Sequence, residues 1–225
     1  REAMSMLSFA SFNLVYADKD DNIMFLHNSL TPRRMEGYEW NNYLPGDRSE
    51  LIWKETLGFS QLPQVINPDA GFVLSANQTP FRVTHPSENP KQADYSPVHG
   101  FQLNMTNRAN RGLELFDSLL PISRQEFFEI KHDKFYSKTT DYVTYLDKIR
   151  SANFAEPLLK EAQAVISDWD LATDQENLSA ALGTCVLLAA ERDDDREQHS
   201  DEQVESLLNN CALQLMEARG SLNPC

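Results

Sequence analysis

The most informative stretch of the sequence is LPQVINPDAGFVLSANQTP, residues 62–80. Residues 67–71 (NPDAG) are typical of a turn, and residues 72–75 (FVLS) form a short apolar run that favours a buried strand. The segment NQTP, which begins at Asn77, ends that strand abruptly. A carboxamide, which both donates and accepts hydrogen bonds, is thus predicted at a strand end. Two interpretations stay open for Asn77: a polar group at the mouth of a cleft, or an ordinary turn residue.

The composition predicts a globular chain and excludes two classes of partner. With 225 residues, of which 41% are hydrophobic, the chain can bury a sizeable core. No apolar run approaches the roughly 20 residues that cross a bilayer, and the first residues lack the apolar stretch of a signal peptide. The formal net charge of −14 would repel phosphate. We therefore expect no membrane span and no nucleic-acid partner.

Cysteines and histidines give little support for a metal site. Cys185, Cys211 and Cys225 are too few and too widely spaced to predict a metal knuckle or a disulfide framework, so we expect core or surface thiols. An odd number leaves at least one cysteine unpaired within the chain, and the redox compartment stays open. The five histidines show neither i, i+4 pairing nor an HExxH motif, which argues against zinc.

The first part of the chain is predicted to be rich in β-structure. Two apolar runs, residues 12–17 and 23–27, flank the polar segment DKDDN and predict a hairpin. Asp18, Asp20 and Asn22 alternate as at the start of a calcium loop, but the glycine and the distal glutamate of such a loop are missing, so a turn is favoured. Residues 81–104 contain three prolines and no clear period, which predicts a long surface loop.

Helical patterns begin near Arg108. Capping boxes precede two helices, at residues 123–126 and 200–203, and Gly220 ends the last one. Residues 158–169 and 204–215 are amphipathic, whereas residues 179–190 are almost entirely apolar, as in a helix buried on most sides. The predicted class is α+β, with a β-rich part over 1–106, including the loop 81–104, and a helical region over 107–225 packed on or beside it.

An ordered series of short motifs resembles the large subunit of the penicillin amidase family. The series is Tyr16-Ala17-Asp18, Asn22-Ile23, Pro32-Arg33-Arg34, Gly37, Trp53, Leu62-Pro63, Asn67-Pro68, Gly71-Phe72 and Ala76-Asn77. Residues 107–111 (NRANR) and 167–170 (SDWD) look like later landmarks of the same family. The likeness covers almost the whole chain and weakens after Ala190.

The resemblance implies an N-terminal-nucleophile hydrolase that cleaves the amide between an acyl group and an amine. The substrate classes would be penicillins, acyl-homoserine lactones (quorum-sensing signals) or acylated lipopeptides. The implied fold is an αββα sandwich produced by autoproteolytic processing of a precursor. Its nucleophile would be the serine at the start of the large subunit, whose own α-amino group is the base, because an α-amine titrates near neutral pH.

Two site residues follow from the resemblance. Asn77 matches the asparagine that donates a hydrogen bond to the oxyanion of the tetrahedral intermediate, and Arg108 matches the arginine that orients it. Arg111 is a close competitor for the second role. Gln78 stands where a second asparagine is commoner in the family, which is expected to alter the rim of the site.

The resemblance also implies that the nucleophile lies upstream of Arg1 and that the chain is a fragment truncated at both ends. Ser5, Ser8 and Ser11 are near the beginning, but none is terminal. The partners would be an acylated amide substrate and the rest of the precursor, namely the small subunit and the start of the large subunit. We expect the isolated chain to be inactive as an amidase.

The chemistry implied by the resemblance needs no cofactor, although some members of the family hold a structural calcium ion. Glu88 and Asp94 are the weakest of candidates for ligands. The family is commonly periplasmic or secreted. Phe59, Phe72 and Phe81 would line an acyl pocket or belong to the core. A second hypothesis is a non-catalytic acidic ligand-binding or scaffold domain that retains the family fold.

Overall fold

The computed structural model describes residues 2–9, 11–119, 121–193 and 195–223. The chain forms two compact units, residues 1–121 and 122–225. The first unit contains α1 (Glu2–Ser5), β1 (Phe12–Ala17), β2 (Ile23–Asn28), β3 (Gln64–Ile66) and α2 (Asn107–Leu119). The second contains α3 (Arg124–Lys131), α4 (Asp141–Ser151), α5 (Pro157–Asp168), α6 (Ala180–Glu191) and α7 (Asp201–Arg219). Short 3-10 turns occupy Ser49–Leu51, Phe59–Gln61, Gln92–Asp94, Pro97–His99 and Arg196–Gln198.

The first unit is organised around a three-stranded antiparallel sheet in the order β1-β2-β3. Side chains of successive strand residues point to opposite faces, so the central strand β2 serves two small cores. Phe25 packs with Val65 and Val83 in one core. Leu26 packs with Leu57 and Leu62 in the other. The predicted hairpin is confirmed by the pairing of β1 with β2.

The predicted strand at residues 72–75 is wrong. This segment is extended but outside the sheet, and β3 lies earlier, at Gln64–Ile66. The segment is held instead by the bond from Leu74 N to Val83 O (2.8 Å) and by Thr84 Oγ1, which donates to Phe72 O (2.8 Å). An apolar run indicates that a segment is buried, and Phe72 is indeed only 6% exposed. Such a run does not show whether the segment pairs with a neighbouring strand.

Helix α2 belongs to the first unit. Its Gly112 lies next to Leu74, and its Phe116 stacks on Phe72 with ring centroids 5.3 Å apart. The boundary between the compact units therefore falls after Pro121, whereas the change from β-rich to helical sequence falls near residue 107. This packing joins the helix to the extended segment that leads to Asn77.

The second unit is a helical bundle with one hydrophobic core. The nearly apolar segment predicted to be a buried helix is α6, and both predicted capping boxes are present, at Ser123 and Ser200. Gly220 ends α7 in the left-handed conformation, with φ +73°. Fully buried side chains from α4 to α7 fill the core: Leu146, Ile149, Ala162, Ile166, Leu182, Val186, Leu187, Ala190, Leu208 and Ala212.

Gly183 in α6 lies directly against the ring of Trp169, the residue that follows α5. A Cβ at this position would overlap the ring of Trp169, which is buried and fixed by donation from its Nε1 to Ala172 O (2.8 Å). We expect Gly183→Ala to destabilise the second unit by about 1–3 kcal/mol, because overpacking a core forces shifts. This loss should exceed the gain in helix propensity of about 0.5–1 kcal/mol. Urea unfolding followed by fluorescence measures it, in a Trp40→Phe/Trp53→Phe background where Trp169 is the reporter.

Gly112 in α2 is the matched control for that substitution. A Cβ there would lie 3.6 Å from Leu74 Cδ2, an ordinary van der Waals contact. Gly112→Ala should therefore be neutral or stabilising by about 0.5–1 kcal/mol, since alanine is the better helix former. Equal destabilisation by the two substitutions would contradict the packing argument.

A chain of hydrogen bonds fixes the connector between α6 and α7. Tyr145 Oη lies 2.8 Å from His199 Nδ1, and His199 Nε2 lies 2.8 Å from Asp193 Oδ2. Burial, with a smaller contribution from Asp193, raises the pKa of Tyr145 to about 12. The hydrogen bond from His199 lowers the pKa of Asp193. The phenol is therefore protonated at neutral pH and can donate to His199, and the network ties the connector to α4.

Two cysteines form a disulfide, which corrects the expectation of free thiols. Cys185 of α6 and Cys211 of α7 are bonded, with their Cα atoms 5.9 Å apart. They are 26 positions apart in sequence, and the side-by-side packing of the two helices brings them together. Cys225 lies outside the described residues. No helix in the described part of the chain is long and apolar enough to cross a membrane.

Candidate active site

Asn77 and Arg108, which are 31 positions apart in sequence, meet in the first unit. Arg108 Nη2 donates to Asn77 Oδ1 at 3.2 Å, and both side chains are exposed. A guanidinium has only donors, so it must face the amide oxygen and thereby turns the Nδ2 group away from itself. Among the residues that the structure describes, Asn77 Nδ2 has no hydrogen-bond partner. The pair presents an oriented N–H donor at the surface.

Asn77 has a left-handed backbone, with φ +62°. Asparagine tolerates this conformation better than most residues other than glycine. The bonds of Gln78 build the turn: its Oε1 accepts from Ala76 N (2.6 Å), and its Nε2 donates to Leu74 O (3.3 Å) and Arg82 O (3.1 Å). The Gln78 side chain is only 3% exposed. Gln78 was expected at the rim of the site, but it lies beneath the site. Its side-chain amide is used up by hydrogen bonds to backbone groups inside the turn.

Thr106 connects the Asn77 turn to the helix that carries Arg108. Its Oγ1 accepts from Ala109 N (3.1 Å), as an N-cap does at the start of α2. The same hydroxyl donates to Ala76 O (2.9 Å). One side chain thus fixes both the carbonyl before Asn77 and the first turn of the helix, which sets the separation of the two site residues.

A second support reaches the turn from the sheet. Asn13 on β1 donates from Nδ2 to Gln78 O (3.5 Å), and its Oδ1 accepts from His27 Nδ1 on β2 (2.9 Å). Burial lowers the pKa of His27, so the ring is held neutral near pH 7. The supporting roles of Asn13, His27 and Thr106 were not predicted from the sequence. Thr106 alone has a local signal: in the TNR motif at 106–108, a residue type that favours helix N-caps comes two positions before the arginine.

Arg111, the competitor for the orienting role, has a different partner. Its Nη1 lies 3.3 Å from Glu114 Oε2 on the same helix, and both side chains are partly buried. Arg111 is one helical turn beyond Arg108. The geometry therefore favours Arg108 as the residue that orients Asn77.

The serines near the start of the chain make only local bonds in the described structure. Ser5 Oγ donates to Glu2 O (2.7 Å), and Ser8 Oγ donates to Met6 O (3.3 Å). Each bond spans two or three positions and ties the hydroxyl to an exposed turn of the backbone. Neither serine has a base aligned with its hydroxyl in these contacts.

Glu88, named above as a weak calcium candidate, has a structural role. Its two carboxylate oxygens accept from Asp69 N (2.5 Å) and Ala70 N (2.8 Å), which holds the turn before the extended segment. Asp94 lies in the 3-10 turn Gln92–Asp94. Over the described ranges, no group of three or more histidine, cysteine, aspartate or glutamate side chains could hold a metal ion.

The three aromatic residues considered for a pocket have different environments. Phe72 is buried and stacks on Phe116, so it belongs to the core. Phe59 packs on the core around Leu26. Phe81 lines a cavity and contacts the rings of Tyr95 and Phe101.

Comparisons with known proteins identify the family and the fold of the chain. A penicillin G acylase from Escherichia coli is 33% identical over 70 residues, which are 31% of this chain and 8% of that protein. The solved structure of a thermostable penicillin G acylase from Alcaligenes faecalis superposes with a TM-score of 0.63 at 17% identity, covering 99% of this chain and 49% of that one. The chain thus spans about half the length of the solved relative, and its α+β fold is that of a penicillin acylase. The penicillin amidase family model matches residues 1–217, and the chain belongs to this family.

Proposed function

We propose that this chain is part of an acylase that hydrolyses the amide bond between an acyl group and an amine. The candidate substrates are penicillins, acyl-homoserine lactones and acylated lipopeptides. Support comes from membership of a family of amidases and from the relative named penicillin G acylase. The observation that carries the proposal is the bond from Arg108 Nη2 to Asn77 Oδ1 (3.2 Å), which directs an N–H donor outward.

The proposed chemistry divides between this chain and the rest of the protein. An N-terminal serine outside the chain attacks the amide carbonyl, and its α-amine takes the hydroxyl proton. The carbonyl oxygen becomes an oxyanion, to which Asn77 Nδ2 donates a hydrogen bond. Arg108 acts through Asn77, because its bond to Oδ1 fixes the direction in which Nδ2 points. No cofactor takes part.

The disulfide supports a periplasmic or secreted location for this acylase. Disulfides persist in oxidising compartments and are rare where thiol reductants dominate. The Cys185–Cys211 bond is part of the bundle core, since Cys211 is 4% exposed and belongs to the hydrophobic cluster. The proposed partners of the chain are the acylated substrate and the remaining segments of the same precursor.

Substitution of Arg108 tests the function through a positioning residue. In the catalytically complete protein, we expect Arg108→Ala to lower kcat about 10- to 100-fold with little change in KM, because the amide is misdirected in the transition state. Arg108→Lys should restore only part of the loss, since an ammonium lacks the planar fork. The measurement is steady-state hydrolysis of a phenylacetyl amide by variants with unchanged Tm.

Arg111→Ala is the matched control on the same helix. It removes a guanidinium one turn away and should leave kcat within a few-fold of the wild-type value. A double variant, Arg108→Ala with Asn77→Ala, should be no slower than Asn77→Ala alone, because the arginine acts through the asparagine. A larger effect from Arg111 than from Arg108 would overturn the assignment.

A further inference from the structure

A cavity of about 570 Å³ lies in the second unit, in the groove between α6 and α7. Cys185 and Cys211, the two halves of the disulfide, both line it. The rest of its lining comes from the same two helices and from the connector between them. Small-molecule sites occupy about 300–1,000 Å³, so the cavity is large enough to bring a small molecule to the disulfide.

The lining residues continue on either side of the disulfide. On α6, Leu188 lies one helical turn after Cys185. On α7, Leu207 and Gln214 lie one turn before and one turn after Cys211. These three flanking side chains all line the cavity, and none of them carries a charge. A small molecule next to the sulfur atoms is therefore bounded by apolar groups and a neutral amide.

The two cysteine side chains differ in burial. Cys211 is 4% exposed and belongs to the hydrophobic core of the bundle. Cys185 is only partly buried and packs against that core. In thiol–disulfide exchange the attacking thiolate must reach the sulfur to which it bonds, whereas the other sulfur leaves. Cys185 is therefore the sulfur that a molecule in the cavity attacks, and Cys211 is the leaving group.

The cavity belongs to the folded protein, because hydrogen bonds fix one end of it. His199 and Asp193 line this end, and His199 Nε2 lies 2.8 Å from Asp193 Oδ2. The His199 side chain is 6% exposed, and its Nδ1 lies 2.8 Å from Tyr145 Oη on α4. The connector is thus anchored to the bundle beside the groove. Reaction at the disulfide from this groove requires no unfolding of the helices.

We propose that Cys185 is a thiol–disulfide exchange site, at which a small thiol that enters this cavity forms a mixed disulfide with the folded protein. The thiolate of the small molecule bonds to Cys185 Sγ, the bond between the two cysteine sulfurs breaks, and Cys211 Sγ leaves with the electron pair and takes a proton from water. A second thiol molecule then attacks the mixed disulfide, which releases the small disulfide and leaves both cysteines reduced by two electrons in total. Either product lacks the cross-link between α6 and α7, and neither step depends on the proposed acylase function.

The effect of urea tests whether the folded protein reacts. Every protein carries Cys225→Ser, so that Cys185 and Cys211 are the only cysteines. 2-Mercaptoethanol is added at fixed pH, samples are quenched with acid, and mass spectrometry follows the loss of the protein disulfide. We expect the rate to change by less than about twofold when about 1 M urea is added, well below the unfolding transition. A reaction that requires unfolding would accelerate at least about fivefold, because urea favours the exposure of buried surface.

Filling the cavity tests the route to the disulfide. Gln214 is exposed and lines the cavity, so Gln214→Trp should spare folding and slow the exchange at least about tenfold by covering the sulfur atoms. Gln125→Trp is the matched control, since Gln125 is exposed on α3 and is not among the described residues that line the cavity. It makes the same substitution at the same net charge and should change the rate by no more than about twofold.

Single-cysteine variants test which sulfur the cavity offers. In Cys211→Ser, bis(2-hydroxyethyl) disulfide should label Cys185, and in Cys185→Ser it should label Cys211 at least about tenfold more slowly. Both variants are compared under conditions where circular dichroism shows the same helix content. Acceleration by urea, equal rates in the two tryptophan variants, or faster labelling of Cys211 than of Cys185 would overturn the proposed site.

Discussion

In the catalytically complete protein, replacing Asn77 by alanine is expected to lower kcat about 10²- to 10³-fold, equivalent to about 3–4 kcal/mol of transition-state stabilisation. The reason is that the Nδ2 group, oriented by Arg108, is the donor that we propose for the developing oxyanion. KM should change little, since the charge forms only in the transition state. Steady-state kinetics with a phenylacetyl amide measures the effect, after gel analysis has shown that the variant and the wild-type protein have the same chain composition.

The backbone of Asn77 requires a second variant. Its φ of +62° strains an alanine, so loss of activity in Asn77→Ala alone could reflect a displaced turn. Asn77→Gly removes the same amide without that strain and should lose as much activity. Asn42→Ala, in an exposed loop of the same unit, is the control and should keep wild-type kcat. An active Asn77→Gly enzyme would refute the role of the carboxamide.

Removing the Cys185–Cys211 disulfide should lower the free energy of unfolding of the second unit by about 3 kcal/mol. The bond closes a loop over a sequence separation of 26 and links α6 to α7 within the core. Its loss gives the unfolded chain more conformational freedom. Urea unfolding of Cys185→Ala/Cys211→Ala measures the change, followed by fluorescence in the same Trp40→Phe/Trp53→Phe background, where Trp169 is the reporter. Cys225→Ser in every protein prevents thiol exchange.

Reduction of the wild-type disulfide separates the cross-link from the loss of side-chain atoms. With reductant present, the wild-type unfolding midpoint should fall towards that of the double variant, whose own midpoint should not move. A wild-type midpoint that is insensitive to reductant and equal to that of the variant would show that the bond contributes nothing to stability. The same titration also reports how readily a reducing compartment would open the bond.

Local sequence patterns correctly predicted the hairpin and the helix caps, because these features depend on residues that are close together in the sequence. The hairpin follows from two apolar runs around a polar turn, and the caps at Ser123 and Ser200 follow from residues three positions apart. Helix α4 was not predicted, although Val143, Leu146 and Ile149 recur at three-residue spacing and are buried. The extended segment 72–75 was taken for a strand, because burial and sheet pairing have the same apolar signal.

The sequence by itself determined the family, the order of the local elements and the identity of the candidate pair Asn77 and Arg108. The tertiary structure decided that the pair is in contact, that Gln78 lies beneath the turn and that Cys185 bonds to Cys211. The physical reason is distance along the chain. A capping residue or a periodic face acts over a few positions, whereas contacts across 26 or 31 positions depend on how completed elements pack.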